Sequence, residues 1–486
     1  GPGGYTAALY AARAGLNVVV LEQLSAGGQM ALTEQIDNYP GFDAGIDGFT
    51  LGEQMQRGAE HFGAETILAE VESVELQEPV KLLKTSEGII MTRTVVIATG
   101  ATPRPLGILG EREWTGRGVH YCAACDGMAY RGKTVAVIGG GPAGICAAIA
   151  AARAGERVAL VEQYGFLGGM ATAGFVTPVS EFRKNGRQVI GGIAWELMER
   201  MHALGGARLD YPSGNVPFDG EIYKLAAQRM VLEAGVSLLL HAKYARCLRE
   251  NARIAQVEAI APGGALRLQA HTFIDSTSDA ALAWDAGAPM QAAPTEALQP
   301  ATLEFRLAGV ETQALSRTEP REENVRYYQA EIQNELLRLR ENGAGVPVFG
   351  GPWLCTVLHE GTVNVNITRL AVVPGDALDM TRAECELREQ AFCLAALLKA
   401  HFPPFRNSYI QATAVEVGLR ETRRICGAHT LTGEELLRAQ PFVDAIARCA
   451  HPVDIHHVGD EKQSVQFLPE AGYIPYRCLY VPEISN

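Results

Sequence analysis

Apolar residues along this chain come in short blocks punctuated by glycine. Thr134–Ile138 is a continuous apolar run closed by Gly139, the pattern of a strand covered on both faces, and the alanine-rich stretch from Pro142 reads as a helix. Val135 to Ala154 would register as one hydropathic stretch, but glycines, a proline and Arg153 break it into strand, turn and helix, which excludes a membrane span. The same reading predicts helices at Gly48–Phe62, Gly192–Leu204, Glu221–Ala234, Glu323–Asn342 and Thr381–Phe402. It predicts strands at Glu65–Leu68, Val71–Leu76, Val80–Lys84, Val236–His241, Leu266–Ile274 and Thr362–Thr368. Val95–Thr99 reads as a buried strand ending in a turn at Gly100, and 290–322 as loop-rich.

The chain repeats itself at an offset of 140 residues. GPGGYTAALYAARAGLNVVVLEQ from Gly1 matches GPAGICAAIAAARAGERVALVEQ from Gly141, and Gly28 matches Gly168 at that offset. The second copy is preceded by its strand and by Gly139, which completes G-x-G-x-x-G at Gly139, Gly141 and Gly144, with Glu162 after the next strand. The first glycine allows a tight turn, the second lets backbone approach a pyrophosphate, and the third lets helix and strand pack closely. The helix N-terminus supplies partial positive charge, and Glu162 would accept from ribose hydroxyls. The spacing therefore predicts a dinucleotide site from Gly139, Gly141, Pro142, Ala143, Gly144, Glu162 and Gln163. Gly168, Gly169 and Met170 are small or flexible residues at its mouth. In the first copy Gly1 stands where the second motif glycine belongs, and the expectation is a weakened first site.

Composition narrows this picture without changing it. At 486 residues the chain is too long for one core, and 47% hydrophobic with 20% charged residues is ordinary for globular protein. A net charge of −13 excludes a basic nucleic-acid or anionic-membrane surface. Ten cysteines, with short spacing only at Cys122 and Cys125, make no disulfide framework. With no basic-then-apolar lead at Gly1, the expected location is cytoplasmic.

Gly27-Gly28-Gln29-Met30, Asp37-Asn38-Tyr39-Pro40-Gly41-Phe42, Ala98-Thr99-Gly100 and Cys122-Ala123-Ala124-Cys125-Asp126-Gly127 together resemble the N-terminal part of bacterial thioredoxin reductases, over residues 1 to about 138. The resemblance implies that Gly1, Gly4, Glu22, Gly28, Gln29 and Asn38 line FAD. It also implies that Cys122 and Cys125 form a redox disulfide, with Asp126 as proton donor. Glu162-Gln163 departs from that family, whose basic cluster at this point holds the 2′-phosphate of NADPH; NAD(P)H is then an electron donor without a recognised intact site. Residues from about 133 instead resemble a family of FAD-dependent oxidoreductases. The matching motifs are Tyr164 to Gly174, Pro217-Phe218-Asp219, Asn366-Ile367-Thr368-Arg369, Gly418 to Arg424 and Ile474-Pro475-Tyr476-Arg477. That family carries glycine where this chain has Ser278, and its closing strand and helix extend beyond the segment matching Ile474–Arg477.

The expected fold is α/β, with two Rossmann-like FAD-binding βαβ units of the three-layer ββα type and an added α+β substrate domain. Residues 1–132 would form the thioredoxin-reductase-like region and 133–486 the oxidoreductase domain. Within the latter, 133–180 and about 260–290 would bind FAD, while about 181–260 and 291–470 would face substrate. Arg420, Arg423 and Arg424 read equally as anion-binding residues or as ion pairs with Glu416 and Glu421, and His456 and His457 as surface residues. Cys355, Cys385, Cys393, Cys426, Cys449 and Cys478 lack ligand spacing and read as partly buried hydrophobes, and no metal is expected. Three readings stay open: hydride transfer between a small organic substrate and FAD, disulfide reduction through Cys122 and Cys125 with a thioredoxin-like partner, and an inactive flavin-binding fusion. A homodimer is expected alongside them.

Overall fold

The computed structural model describes residues 1–33, 35–36, 39–101, 132–210, 214–291, 298–315, 321–356, 358–458, 462–482 and 484. The chain divides into two compact units, Gly1–Asp126 and Gly127–Asn486.

In the first unit, helix α1 (Pro2–Arg13) leads to strand β1 (Val19–Glu22), and helix α2 (Gly48–His61) to strand β2 (Glu65–Leu68), parallel to β1 with Val19 opposite Glu65. Asp47 caps α2 by accepting from the Thr50 amide at 2.8 Å, a contact typically worth about 1 kcal/mol. Strands β3 (Val71–Glu75), β4 (Lys81–Thr85) and β5 (Gly88–Thr92) form an antiparallel meander. The core is small, built on Tyr5, Ala8, Ala12, Ala26, Ala59 and Ala64. The buried strand expected at Val95–Thr99 does not form: Val96 and Ile97 are 68% and 70% exposed. An apolar run becomes an interior strand only with ladder partners on its sides, and none pairs with it among the described residues.

The second unit carries the complete version of the same pattern. Strand β6 (Thr134–Ile138), helix α3 (Pro142–Arg153) and strand β7 (Arg157–Val161) are followed by helices α4 (Gly192–Ala203) and α5 (Gly220–Glu233) and strand β8 (Ser237–Leu239). A meander of β9 (Lys243–Glu250), β10 (Arg253–Ala261) and β11 (Gly264–Leu268) precedes strand β12 (Thr272–Asp275). The parallel sheet runs β8-β7-β6-β12. Its alternation of side chains explains the three layers. Val135 and Val137 pack with Ile145, Leu197 and Met230 of the helices, whereas Ala136 and Ile138 pack with Val257 and Ala259 of the meander. This is the expected ββα arrangement, and α4, α5 and β9–β10, in the segment assigned to the substrate side, supply its outer layers. The single strand expected at Leu266–Ile274 is two strands in different layers, because one continuous strand cannot serve both sheets.

A second sheet follows. Strand β13 (Phe305–Ala308), helix α6 (Arg321–Glu341), strands β14 (Phe349–Thr356) and β15 (Thr362–Thr368), helix α7 (Ala377–His401) and strand β16 (Tyr409–Thr413) give the antiparallel order β14-β15-β13-β16. One face packs Phe305, Leu307, Val363, Val365 and Leu354 against Ile332 and Leu336 of α6 and Leu394 and Leu398 of α7. β13, inside the segment expected to be loop-rich, is an inner strand of this sheet. Its four residues take their conformation from neighbours on both sides. Among the described residues no helix is long and apolar enough to cross a membrane.

Ser278 follows β12 with φ +73°, in the left-handed region where a Cβ costs roughly 1–2 kcal/mol. Ser278→Gly is expected to stabilise the protein by roughly 0.5–1 kcal/mol after the entropy of the freer unfolded chain is counted. Urea unfolding measures it, and a loss of stability would show that the serine side chain contributes more than its strain costs.

Candidate functional site

β6 ends at the switch point of the parallel sheet, with β7 and β8 on one side and β12 on the other, where ligands of such sheets bind beyond the carboxyl ends of the strands. The chain turns here through Gly139 (φ +106°), whose amide donates to Val161 O at 2.9 Å. A Cβ on Gly139 would lie 2.2 Å from Ser276 O, one on Gly140 2.6 Å from Leu167 Cδ2, and one on Gly144 1.8 Å from Gly139 O. Three successive demands for glycine thus have three different neighbours. Beyond them, Pro142 and Ala143 are exposed and no side chain caps α3, so its N-terminal turn is open to an anion.

Glu162, 5% exposed, bends back into this corner. Its Oε2 accepts from the Gly140 amide at 2.7 Å and its Oε1 from the Tyr164 amide at 2.8 Å. Burial pushes this carboxyl above its ordinary range, and the backbone amides work against that shift. Each oxygen retains a lone pair that could accept from ribose hydroxyls, and Gln163 beside it is exposed. The corner, the open helix end and the acid fit the adenosine diphosphate part of FAD.

The first unit repeats the arrangement in part. Glu22 ends β1 as Glu162 follows β7, and its Oε2 lies 2.9 Å from the Gly1 nitrogen. Gly27 and Gly28 have φ of +104° and +57°, and Gly168 and Gly169 +119° and +50°. A Cβ on Gly28 would approach Gly1 Cα at 3.2 Å and one on Gly169 Gly141 Cα at 3.0 Å. Gly28 is therefore the counterpart of Gly169, not of Gly168 as the constant offset predicts; one extra residue sits in the second loop. Gln29 then corresponds to Met170. Gly4 has room for a Cβ, 3.7 Å from that of Ala98, unlike Gly144. Asn38, Cys122, Cys125 and Asp126 lie outside the described residues.

The turn after Gly168-Gly169 meets the second sheet. Val415 N donates to Ala173 O at 2.8 Å, Asn364 Nδ2 to Phe175 O at 3.0 Å, and the Arg306 guanidinium lies 4.9 Å from the Phe175 ring centre. Sheet alternation puts the polar residues of β13–β15 on this side and the apolar core on the other. The three candidate arginines separate. Arg423 pairs with Asp279 at 3.0 Å and Arg424 with Glu421 at 3.2 Å, whereas Arg420 bonds neutral acceptors, Pro300 O and Thr302 Oγ1. His456 is not a surface residue: its side chain is 10% exposed, stacks edge-on to Trp353, and meets Asp454 at 3.4 Å. His457 is exposed. Cys385 and Cys393 are exposed, against expectation, and Cys355, Cys426, Cys449 and Cys478 partly buried.

One pair escaped the sequence reading. Asp219 caps α5 by accepting from the Glu221 and Ile222 amides at 2.7 and 3.3 Å, and it hydrogen-bonds His359 Nε2. Burial alone would raise this carboxyl, but His359 and the two amides outweigh it and hold it below its ordinary value. Next to it, a Cβ on Gly220 would lie 3.9 Å from Ala171 O, so the pair flanks the glycine-rich turn. The separation of 140 residues between the partners left no local signal.

The sequence profile of the FAD dependent oxidoreductase family matches residues 134–486, and that of the pyridine nucleotide-disulphide oxidoreductases residues 1–181. The chain belongs to the FAD dependent oxidoreductase family, and its cofactor is FAD. Its N-terminal third is similar to the bifunctional thioredoxin reductase/thioredoxin of Mycobacterium leprae, 47% identical over 164 residues, covering 34% of this chain and 36% of that one. It is also similar to the thioredoxin reductase of Treponema pallidum, 40% identical over 163 residues, covering 34% and 53%. The chain thus spans about half or less of the length of these relatives. Similar solved structures include the thioredoxin reductase of Streptococcus pyogenes (26% identity, 57% of this chain and 73% of that one, TM-score 0.30). Another is a geranylgeranyl bacteriochlorophyll reductase-like protein of Thermoplasma acidophilum (14% identity, 59% and 66%, TM-score 0.36).

Gly140→Ala forces Glu162 or Leu167 aside and is expected to weaken FAD retention about tenfold or more, the scale of one charge-assisted hydrogen bond. Gly263→Ala, with open space around it, serves as the control. The ratio of visible flavin absorbance to protein absorbance reads both, and equal retention would remove Glu162 from the cradle. Glu304, 5% exposed, is pushed by burial up to about 8 from 4.5, with Arg420 opposing. The folded state then holds a proton that the unfolded state releases. Stability contributed by this group falls as pH rises from about 4.5 to about 8, by at most ~1.4 kcal/mol per pH unit. Glu304→Gln should flatten that fall, and unfolding midpoints of both proteins at pH 5 and pH 8 measure it.

Proposed function

We propose that the second unit holds FAD across the Gly139–Gly144 corner and that the protein oxidises a small organic substrate lying between the glycine-rich turn and the polar face of the second sheet. FAD supplies the two-electron acceptor. The observation that carries the reading is the junction itself: the turn that leaves the dinucleotide cradle meets Asn364 and Arg306 of the polar face at Phe175. The protein's part is orientation and proton handling. Asp219 orients the His359 ring through Nε2, which leaves Nδ1 as the ring nitrogen available to a substrate proton. With FAD bound, Asp219→Asn is expected to lower kcat by at least about tenfold while leaving flavin absorbance intact. Unchanged kcat would take His359 out of the chemistry, and a colourless protein purified with excess FAD would refute the whole reading.

A second reading concerns the first unit. Its similarity to thioredoxin reductases supports disulfide reduction through Cys122 and Cys125, with Asp126 as proton donor and a thioredoxin-like protein as partner. The buried Glu162 at the end of β7 disfavours the 2′-phosphate of NADPH there, so NADH is the donor to try beside it. Reduction of a chromogenic disulfide with either nicotinamide, lost in Cys125→Ser, is the expected outcome. Turnover that survives that substitution would eliminate this route.

A further inference from the structure

Register places a set of polar groups on one face of the second sheet. Phe305 pairs with Val365, so Glu304 lies beside Asn366, and Trp353 pairs with Asn366 from the other side. These three share the face opposite the Phe305–Val365–Leu354 core. Arg420 joins them two residues after Gly418, which bridges Thr302 in antiparallel fashion. Arg420 Nη1 is fully engaged, donating to Pro300 O at 2.7 Å and Thr302 Oγ1 at 2.6 Å. Nη2 has only Asn366 Oδ1, at 3.5 Å, and among the described residues nothing accepts from Nε. The edge left available, Nε with Nη2, is the one whose two parallel N–H bonds match a carboxylate.

A second observation points to the same space. Glu304 is 5% exposed, and its carboxyl has no hydrogen-bond partner among the described residues, yet neither of its oxygens is among the sealed, unpartnered atoms. An unpartnered buried carboxyl is costly unless something meets it. Charge adds to the case. Arg369, 2% exposed, lies close enough to Arg420 to lower its basicity. The Asp454 carboxylate, bonded to His456 and Gln463, acts on Arg420 from a distance in the opposite sense. Burial raises the Glu304 acid to about 8, so at neutral pH it offers an O–H donor beside Arg420.

We propose that this face is a carboxylate-binding site, in which the Nε–Nη2 edge of Arg420 receives the carboxylate of a small organic-acid substrate, with Glu304 and Asn366 lining the same space. The proposal rests on the hydride-transfer reading for its role but not for its existence, since the site is built by the second sheet alone. Arg423 and Arg424, each held by a carboxylate of this chain, are not part of it.

The test is calorimetric titration of the full FAD-treated chain with succinate and with benzoate, beside inorganic phosphate and chloride at equal ionic strength. At least one carboxylate is expected to bind wild type better than phosphate does, and Arg420→Lys to weaken it about tenfold by losing the fork while keeping the charge. Arg424→Gln should bind as wild type. If Arg420→Lys does not fold, judged by circular dichroism, Asn366→Ala replaces it with the same expectation of weaker binding. No binding of either carboxylate, phosphate binding as tightly, or wild-type affinity in the variant would each overturn the proposal. Flavin absorbance in the same samples separates the two ideas: bound flavin without carboxylate binding sinks this site alone, and carboxylate binding to colourless protein sinks the FAD reading alone.

Discussion

The contact between the Gly140 amide and the Glu162 carboxylate, at 2.7 Å, is the constraint on which the rest of the second unit depends. It ties the end of β7 to the turn after β6, and so fixes the α3 N-terminus relative to the sheet. A buried carboxylate is tolerated there because two backbone amides meet it, and those amides are available because glycine lets the chain turn so tightly. The packing of β6 follows the same logic. Its Val135 and Val137 anchor the helices while Ala136 and Ile138 anchor the meander, so the corner is held from both faces.

This local dependence explains what could be read from the residues. G-x-G-x-x-G, the strand before it and the acid after it interact within a stretch of 29 residues, Thr134 to Glu162, and the structure assembles them as their spacing implies. Thr362–Thr368 was legible because its polar and apolar residues alternate strictly, the pattern of a strand with one covered face. β13 was not. Four residues in a segment rich in turn formers become an inner strand because β15 and β16, from much later in the chain, lie on either side. Val95–Thr99 fails in the opposite direction, having the strand composition without the neighbours.

The candidate site divides along the same line. Glycines can be assigned from local sequence because each answers a steric demand of its own turn, although the one-residue shift between Gly28 and Gly169 shows that loop length escapes a constant offset. The polar residues cannot. Arg420 meets Pro300 and Asn366 from 120 and 54 residues away, and Asp219 meets His359 across 140. Of three nearby arginines, Arg424 finds Glu421 three residues away, a pair the sequence offers, whereas only the fold gives Arg423 the carboxylate of Asp279 and Arg420 neutral acceptors.

The two copies of the repeat show how much the surrounding layers contribute beyond the motif. Both have the paired left-handed glycines and the helix that begins with proline. In the second copy a Cβ on Gly144 would lie 1.8 Å from Gly139 O and 3.2 Å from the Ser276 Cβ, so glycine is demanded at the third position by the turns after β6 and β12 before any ligand is considered. Because those turns also hold the helix end at the mouth of the sheet, tight packing and an open helix N-terminus are one requirement.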